Sequence, residues 1–199
     1  MARVKFRTPL LLAVIIIFAA TVNGVAQNKA YQVKSPDGKS ELRLTTTDKL
    51  AFSVSRNGQE IIAPSPISVE LIEHIVLGDQ PVVLSARPAS VRSSIVPIVA
   101  EKRKLIPDTY NELTITFKGD FGLKLRAYDD GVAYRFFTTM KRDIIVLNEE
   151  LSINLTSSDS IWFPQETSFL SHSERLYKLL AVKDIADTQM CCIPAVIVK

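Results

Sequence analysis

Apolar and polar side chains alternate through most of the chain, the period-two signature of half-buried β-strands. The stretch "SELRLTT" (40–46) places Leu42 and Leu44 on one face and Glu41, Arg43 and Thr45 on the other. In "LAFSVSRNGQEII" (50–62), Leu50, Phe52 and Val54 alternate with polar residues, and Asn57-Gly58 supplies the two left-handed positions of a type I′ hairpin turn. "PSPISVELI" (64–72) reads as a further strand whose prolines confine its start to a sheet edge or a strand beginning. "YNELTITFKGDFGLKLRAYDDGVAYRFFT" (110–138) predicts a meander. Leu113, Ile115 and Phe117 form one inward set, Leu123 and Leu125 the next, and Val132, Tyr134 and Phe136 the third. "DIIVLNEELSINL" (143–155) gives one or two more strands. Helical period is weak, and the best candidate is 173–185, with Ser173 as cap and Leu176, Leu179 and Leu180 on one face. Hairpin-scale spacing without intervening helices predicts an all-β, antiparallel sandwich in one domain.

The amino terminus breaks this pattern. Arg3, Lys5 and Arg7 precede an apolar run over residues 9–22, and Gly24 and Ala26 occupy the −3 and −1 positions of a cleavage site. The run is short for a bilayer span, so residues 1–26 read as a cleaved secretory signal rather than an anchor. The expected location is periplasmic or secreted, with no membrane attachment after cleavage. The segment holds three of the 24 basic residues and no acid, which leaves 21 Lys+Arg against 21 Asp+Glu. A neutral chain has no net attraction for phosphate backbones, and nucleic acid is not an expected partner. Cys191 and Cys192 are adjacent, poor geometry for a disulfide, and read as small buried hydrophobes on a strand.

Motifs for catalysis are missing. The sequence has no G-x-S-x-G elbow, glycine-rich phosphate loop, H-E-x-x-H or C-x-x-C, and its two histidines, His74 and His172, are far apart. His172 beside Ser173 and Glu174 is one local pair of ligand types, too few for a metal site. The acids in "LRAYDDGVAYRF" (125–136) invite comparison with a glycosidase carboxylate pair. Consecutive residues diverge, however, and Asp-Asp-Gly is turn chemistry: the acids accept backbone N–H bonds and Gly131 takes the positive φ. Asp129 and Asp130 therefore predict a hairpin corner. "YRFF" (134–137) sends aromatic side chains both ways, as in a strand buried on both faces, and core packing is preferred to sugar stacking. Trp162 in "SIWFPQE" (160–166) reads as a lid on the core.

Six stretches in order carry a resemblance: "SPDGK" (35–39), "NGQEIIAPSPISVEL" (57–71), "YNELTITF" (110–117), "LRAYDDGVAYRF" (125–136), "IWFPQE" (161–166) and "IPAV" (193–196). Together they resemble the N-terminal domain of glycoside hydrolase family 97, exported α-glucosidases and α-galactosidases of Bacteroidetes. The resemblance implies an antiparallel β-super-sandwich, similar to galactose-mutarotase-like domains, spanning 27–199. It also implies a neighbouring (β/α)₈ barrel that holds the catalytic carboxylates, the oligosaccharide substrate and most ligands of a calcium ion. By the pattern "ERLY" (174–177) it makes Glu174 the one metal ligand from this domain, with Tyr177 beside it. No catalytic or cofactor-binding residue is carried over. Two departures stand out. "PIVAE" (97–101) replaces the family's Pro-x-Trp-Gly-Glu, and Lys199 falls inside an expected strand, so the resemblance implies an inactive fragment, incomplete at its C-terminal end. Two other expectations compete: a stand-alone periplasmic carbohydrate-binding or interaction module using Trp162 or Tyr128, and a truncated product without a stable fold.

Overall fold

The computed structural model describes residues 29–156, 158–172 and 174–199. The expected signal segment (1–26) and the expected cap Ser173 lie outside the described residues. The first sheet is built from β1 (Lys29–Lys34), β2 (Ser40–Thr46), β3 (Leu50–Arg56), β4 (Gln59–Leu71), the two-residue β5 (Val76–Leu77) and β10 (Val146–Leu151), in the order β1-β2-β3-β4-β10 with β5 on β4. The second is the meander β6 (Val83–Ile95), β7 (Ile106–Phe117), β8 (Phe121–Ala127) and β9 (Val132–Thr138), in that order. Every pairing is antiparallel. Smaller ladders follow: β11 (Ser160–Phe163) lies between β13 (Lys178–Ala181) and β15 (Val196–Val198), and β12 (Gln165–Glu166) pairs with β14 (Met190–Cys191).

The alternation read from the sequence places the core. Leu42, Leu44, Leu50, Phe52 and Ile67 from the first sheet meet Leu113, Ile115, Phe117, Leu123 and Leu125 from the second, all buried in one cluster. Full burial of each such side chain contributes roughly 1.5–3 kcal/mol, which makes this interface the main source of stability. Asn57 and Gly58 adopt φ of 51° and 80°, as the type I′ turn between β3 and β4 requires.

Several expectations are corrected. β4 is a single strand of 13 residues inside the sheet, so Pro64 and Pro66 mark neither an edge nor a beginning. Register shifts between Phe52 and Ser55 of β3 give β4 extra residues, and the prolines fall in or beside that irregular stretch, where a missing N–H is tolerated. The helix expected over 173–185 is replaced by the extended β13 and a 3-10 turn, Val182–Asp184. Pairing with β11 overrides the weak helical period there, and Leu176 and Leu179 are exposed. β9 is not buried on both faces, because it forms the outer strand of the second sheet and Arg135 is exposed. Cys191 and Cys192 are only half-buried. Trp162 is 41% exposed; its neighbour Phe163, at 5%, packs inward instead.

The hairpin reading of Asp129 and Asp130 holds, with two differences. Tyr128 and Gly131 exchange backbone hydrogen bonds of 2.8 and 3.4 Å across the turn. Gly131 is not among the positive-φ residues, so this corner closes without a left-handed glycine. Asp129 also reaches across the sandwich: its Oδ1 accepts from the Asp37 N–H at 2.8 Å, and its carbonyl accepts from Arg56 Nη1 at 2.9 Å. The β8–β9 corner is thereby tied to the β1–β2 turn of the other sheet.

Candidate functional site

Strand parity sends Tyr110, Glu112 and Thr114 of β7 away from the core, opposite Lys124 and Arg126 of β8, which in turn face Arg135 and Ala133 of β9. On this outer face Glu112 is unexpectedly buried, at 8% exposure. Its Oε1 accepts from Thr114 Oγ1 (3.0 Å) and Lys124 Nζ (3.3 Å), and its Oε2 accepts from Arg126 Nε (2.7 Å). The Arg126 guanidinium lies 4.2 Å from the centre of the Tyr110 ring, a cation–π distance. Tyr110 and Tyr128 pack with centroids 5.0 Å apart, and the Tyr128 hydroxyl donates a long bond (3.4 Å) to Asp108 Oδ1. Lys124, Arg126, Tyr128, Ala133, Tyr134 and Arg135 enclose a concavity of about 250 Å³.

Burial pushes the Glu112 carboxyl up, but hydrogen bonds from Arg126, Thr114 and Lys124 outweigh it and hold the group below its ordinary 4.5. The same hydrogen bond, which Arg126 donates to Glu112, raises Arg126, and burial raises the Tyr110 hydroxyl. With both oxygens engaged, Glu112 is a structural anion and not a general base.

A carboxylate held below its unfolded pKa stabilises the fold above that value, and the contribution is lost as pH falls through the folded pKa. Asp37 behaves alike: bonds from the Ser35 hydroxyl and the Lys39 N–H bring it from 3.8 to about 2. Stability is therefore expected to hold between pH 7 and 5 and to fall progressively from about pH 4.5 toward pH 2. Thermal unfolding followed by circular dichroism across this range checks it. Glu112→Gln should lower stability at neutral pH and shrink the acid loss; an unchanged acid limb in that variant would contradict the assignment.

Glu174 is exposed and makes no hydrogen bond or ion pair among the described residues. Tyr177, in the same segment, donates from its hydroxyl to the Pro194 carbonyl at 2.8 Å. His172 lies 3.5 Å from Arg175, and no group of three His, Cys, Asp or Glu side chains converges among the described residues. Sequence reasoning missed Glu166, which is buried at 7% exposure. Its Oε2 accepts from Arg175 Nε at 2.9 Å, while its Oε1 has no hydrogen-bond partner among the described residues. Burial pushes this carboxyl up, but Ser171, Arg175 and His172 together leave it lowered. No local pattern announces Glu166, because its partner stands nine residues away in an irregular segment.

The fold has solved counterparts. A glycoside hydrolase family 97 enzyme from Pseudoalteromonas sp. strain K8, solved in complex with panose and with acarbose, superimposes with a TM-score of 0.66 at 20% identity, covering 77% of this chain and 25% of that one. A β-arabinopyranosidase superimposes with a TM-score of 0.64, also at 20% identity, over 74% of this chain and 26% of that one. Among curated proteins, a retaining α-galactosidase of Bacteroides thetaiotaomicron is 34% identical over 121 residues, 61% of this chain and 18% of the relative. A probable retaining α-galactosidase of Streptomyces bingchenggensis is 30% identical over 175 residues, 81% of this chain and 27% of the relative. The chain thus spans less than a third of the length of either. The family model described as Glycosyl-hydrolase 97 N-terminal matches residues 33–199, nearly all that the two sheets and the smaller ladders occupy, and the chain accordingly belongs to glycoside hydrolase family 97 as an N-terminal domain.

Proposed function

We propose that this chain is the supporting sandwich of an exported glycoside hydrolase that cleaves α-glucosidic or α-galactosidic bonds in oligosaccharides, and that it does not catalyse by itself. The observation that carries the reading is the 34% identity to a retaining α-galactosidase, together with the family match over 33–199. In support, three carboxylates of the domain are tied into structure: Asp129 bridges two turns, and Glu112 and Glu166 are buried on arginines. On this reading the protein works in the periplasm or outside the cell.

Calcium prefers six to eight oxygen ligands. The described residues bring no three acids together, so they do not fit a calcium ion on their own. Exposed and without a partner among the described residues, Glu174 fits the lesser role of a single carboxylate offered to an ion whose other ligands lie outside this chain. A second reading, a stand-alone periplasmic carbohydrate-binding module, draws on the exposure of Trp162, which shares one face of its ladder with the exposed Leu179 and Val196.

Sequencing the coding DNA beyond the Lys199 codon separates them. An open frame continuing into a barrel with inward-facing glutamates is the expected result. A stop codon there, with no barrel in any frame, would overturn the hydrolase reading and leave the binding module.

A further inference from the structure

The outer face of the second sheet carries an electrostatic conflict. Lys124 and Arg135 stand directly opposite each other across β8 and β9, and Arg87 lies in the same cross-strand row, opposite Thr114. Like charges placed opposite on neighbouring strands are destabilising. Glu112 compensates Lys124 and Arg126, but Arg135 and Arg87 have no hydrogen-bond or ion-pair partner among the described residues. Counting Asp108, the face sets Arg87, Lys124, Arg126 and Arg135 against two acids, although the chain outside its leader is balanced. The conflict surrounds a concavity. Three of the four cations, Lys124, Arg126 and Arg135, border about 250 Å³ of open space, which also has Tyr128 and Ala133 in its wall.

We propose that this concavity is a binding subsite for an anionic sugar, one pyranose ring bearing a carboxylate. The carboxylate bridges Arg135 and Lys124 and relieves their repulsion; the guanidinium of Arg135 offers the planar donor fork that matches a carboxylate. Glu112 fixes Lys124 and Arg126 from beneath, so little side-chain freedom is lost on binding. The space exceeds what a bare oxyanion needs, and Tyr128 with Ala133 presents an apolar surface to the C–H face of a sugar ring. The choice of a sugar rests on the carbohydrate reading above; the choice of an anion rests on the charges alone.

The test is thermal unfolding of the whole chain with 10 mM galacturonate, galactose or inorganic phosphate at matched ionic strength. Galacturonate should raise Tm by about 4 °C, galactose should leave it unchanged, and phosphate should give a clearly smaller rise. Arg135→Gln is exposed and should fold. Freed of the like-charge pair, it should unfold about 1–3 °C higher than the parent without ligand, and the galacturonate shift should vanish. A full galacturonate shift in Arg135→Gln would place the anion elsewhere and overturn the proposal. Equal shifts with phosphate and galacturonate would overturn the assignment to a sugar acid, and no shift with either would overturn the site. A stop codon after Lys199 would sink the hydrolase reading without changing any of these outcomes.

Discussion

Replacing Phe117 with alanine should destabilise the chain by about 3–5 kcal/mol, a large part of the roughly 5–15 kcal/mol that holds a typical domain together. Phe117 closes β7 at 1% exposure, and its ring stacks on Phe121 across the turn, centroids 4.9 Å apart and planes 16° from parallel. Between them Gly119 and Asp120 take φ of 101° and 58°, which reverses the chain tightly enough to bring the rings face to face. Truncation would remove both the transfer energy of the ring and its stacking partner. Strands on either side, β6 and β8, hold the backbone and limit how far the cavity can collapse. Urea unfolding checks this: the midpoint should drop with little change in slope. Phe169, at 94% exposure, is the internal control, and its alanine variant should stay within about 0.5 kcal/mol of the parent. Equal losses from the two variants would refute the placement of the core.

The contrast between these phenylalanines shows what was legible in the sequence. Wherever one face of a strand meets the other sheet, the period-two pattern is written in the residues, and β2, β3, β7 and β8 could be read with their inward faces correctly assigned. β6 was not read at all. "VLSARPASVRSSI" pairs with β7 along 13 residues of strand, yet it forms the outer edge of its sheet, and apart from Val83, which packs against the core, most of its side chains are exposed. Nothing selects alternation there, so the strand leaves no pattern. β13 fails for a related reason, since a four-residue ladder partner decides its conformation and its own sequence favours another. The outer-face network was half legible. Parity put Glu112, Lys124 and Arg126 on the polar side, but not that Glu112 would be buried there, which requires three strands in register. Asp129 was legible as a turn residue, whereas its bond to Asp37 joins positions 92 apart in sequence and exists only once the sheets have packed. Glu174 was reached through resemblance alone, and its exposed side chain is what a ligand offered outward and an ordinary surface acid have in common.

Gly122→Ala should be the second most damaging substitution, costing about 1–3 kcal/mol, although it adds a single methyl group on a strand where alanine is sterically ordinary. The cause is proximity rather than backbone conformation. A Cβ on Gly122 would lie 2.2 Å from Phe137 Cζ and 2.6 Å from the Ile115 carbonyl oxygen. Gly122 pairs with Phe137 on β9 and Thr116 on β7, and the phenyl ring folds back over the hydrogen in place of a side chain. The two obstructions differ in compliance. Phe137 stands on an outer strand and is half-buried, so its ring can rotate away by giving up its packing. The Ile115 carbonyl belongs to β7, an inner strand paired on both sides, and cannot retreat without disturbing both ladders. A double-mutant cycle separates them. If the ring is the main obstacle, Gly122→Ala in a Phe137→Ala background should cost much less than it does in the parent. If the carbonyl dominates, the cost should persist nearly unchanged. The geometry favours an intermediate result, with part of the loss recovered, because the shorter contact is with the ring and the less yielding one is with the backbone. A Gly122→Ala substitution that costs nothing in either background would mean that neither obstruction is met, and would contradict the β8–β9 register on which the outer-face concavity is built.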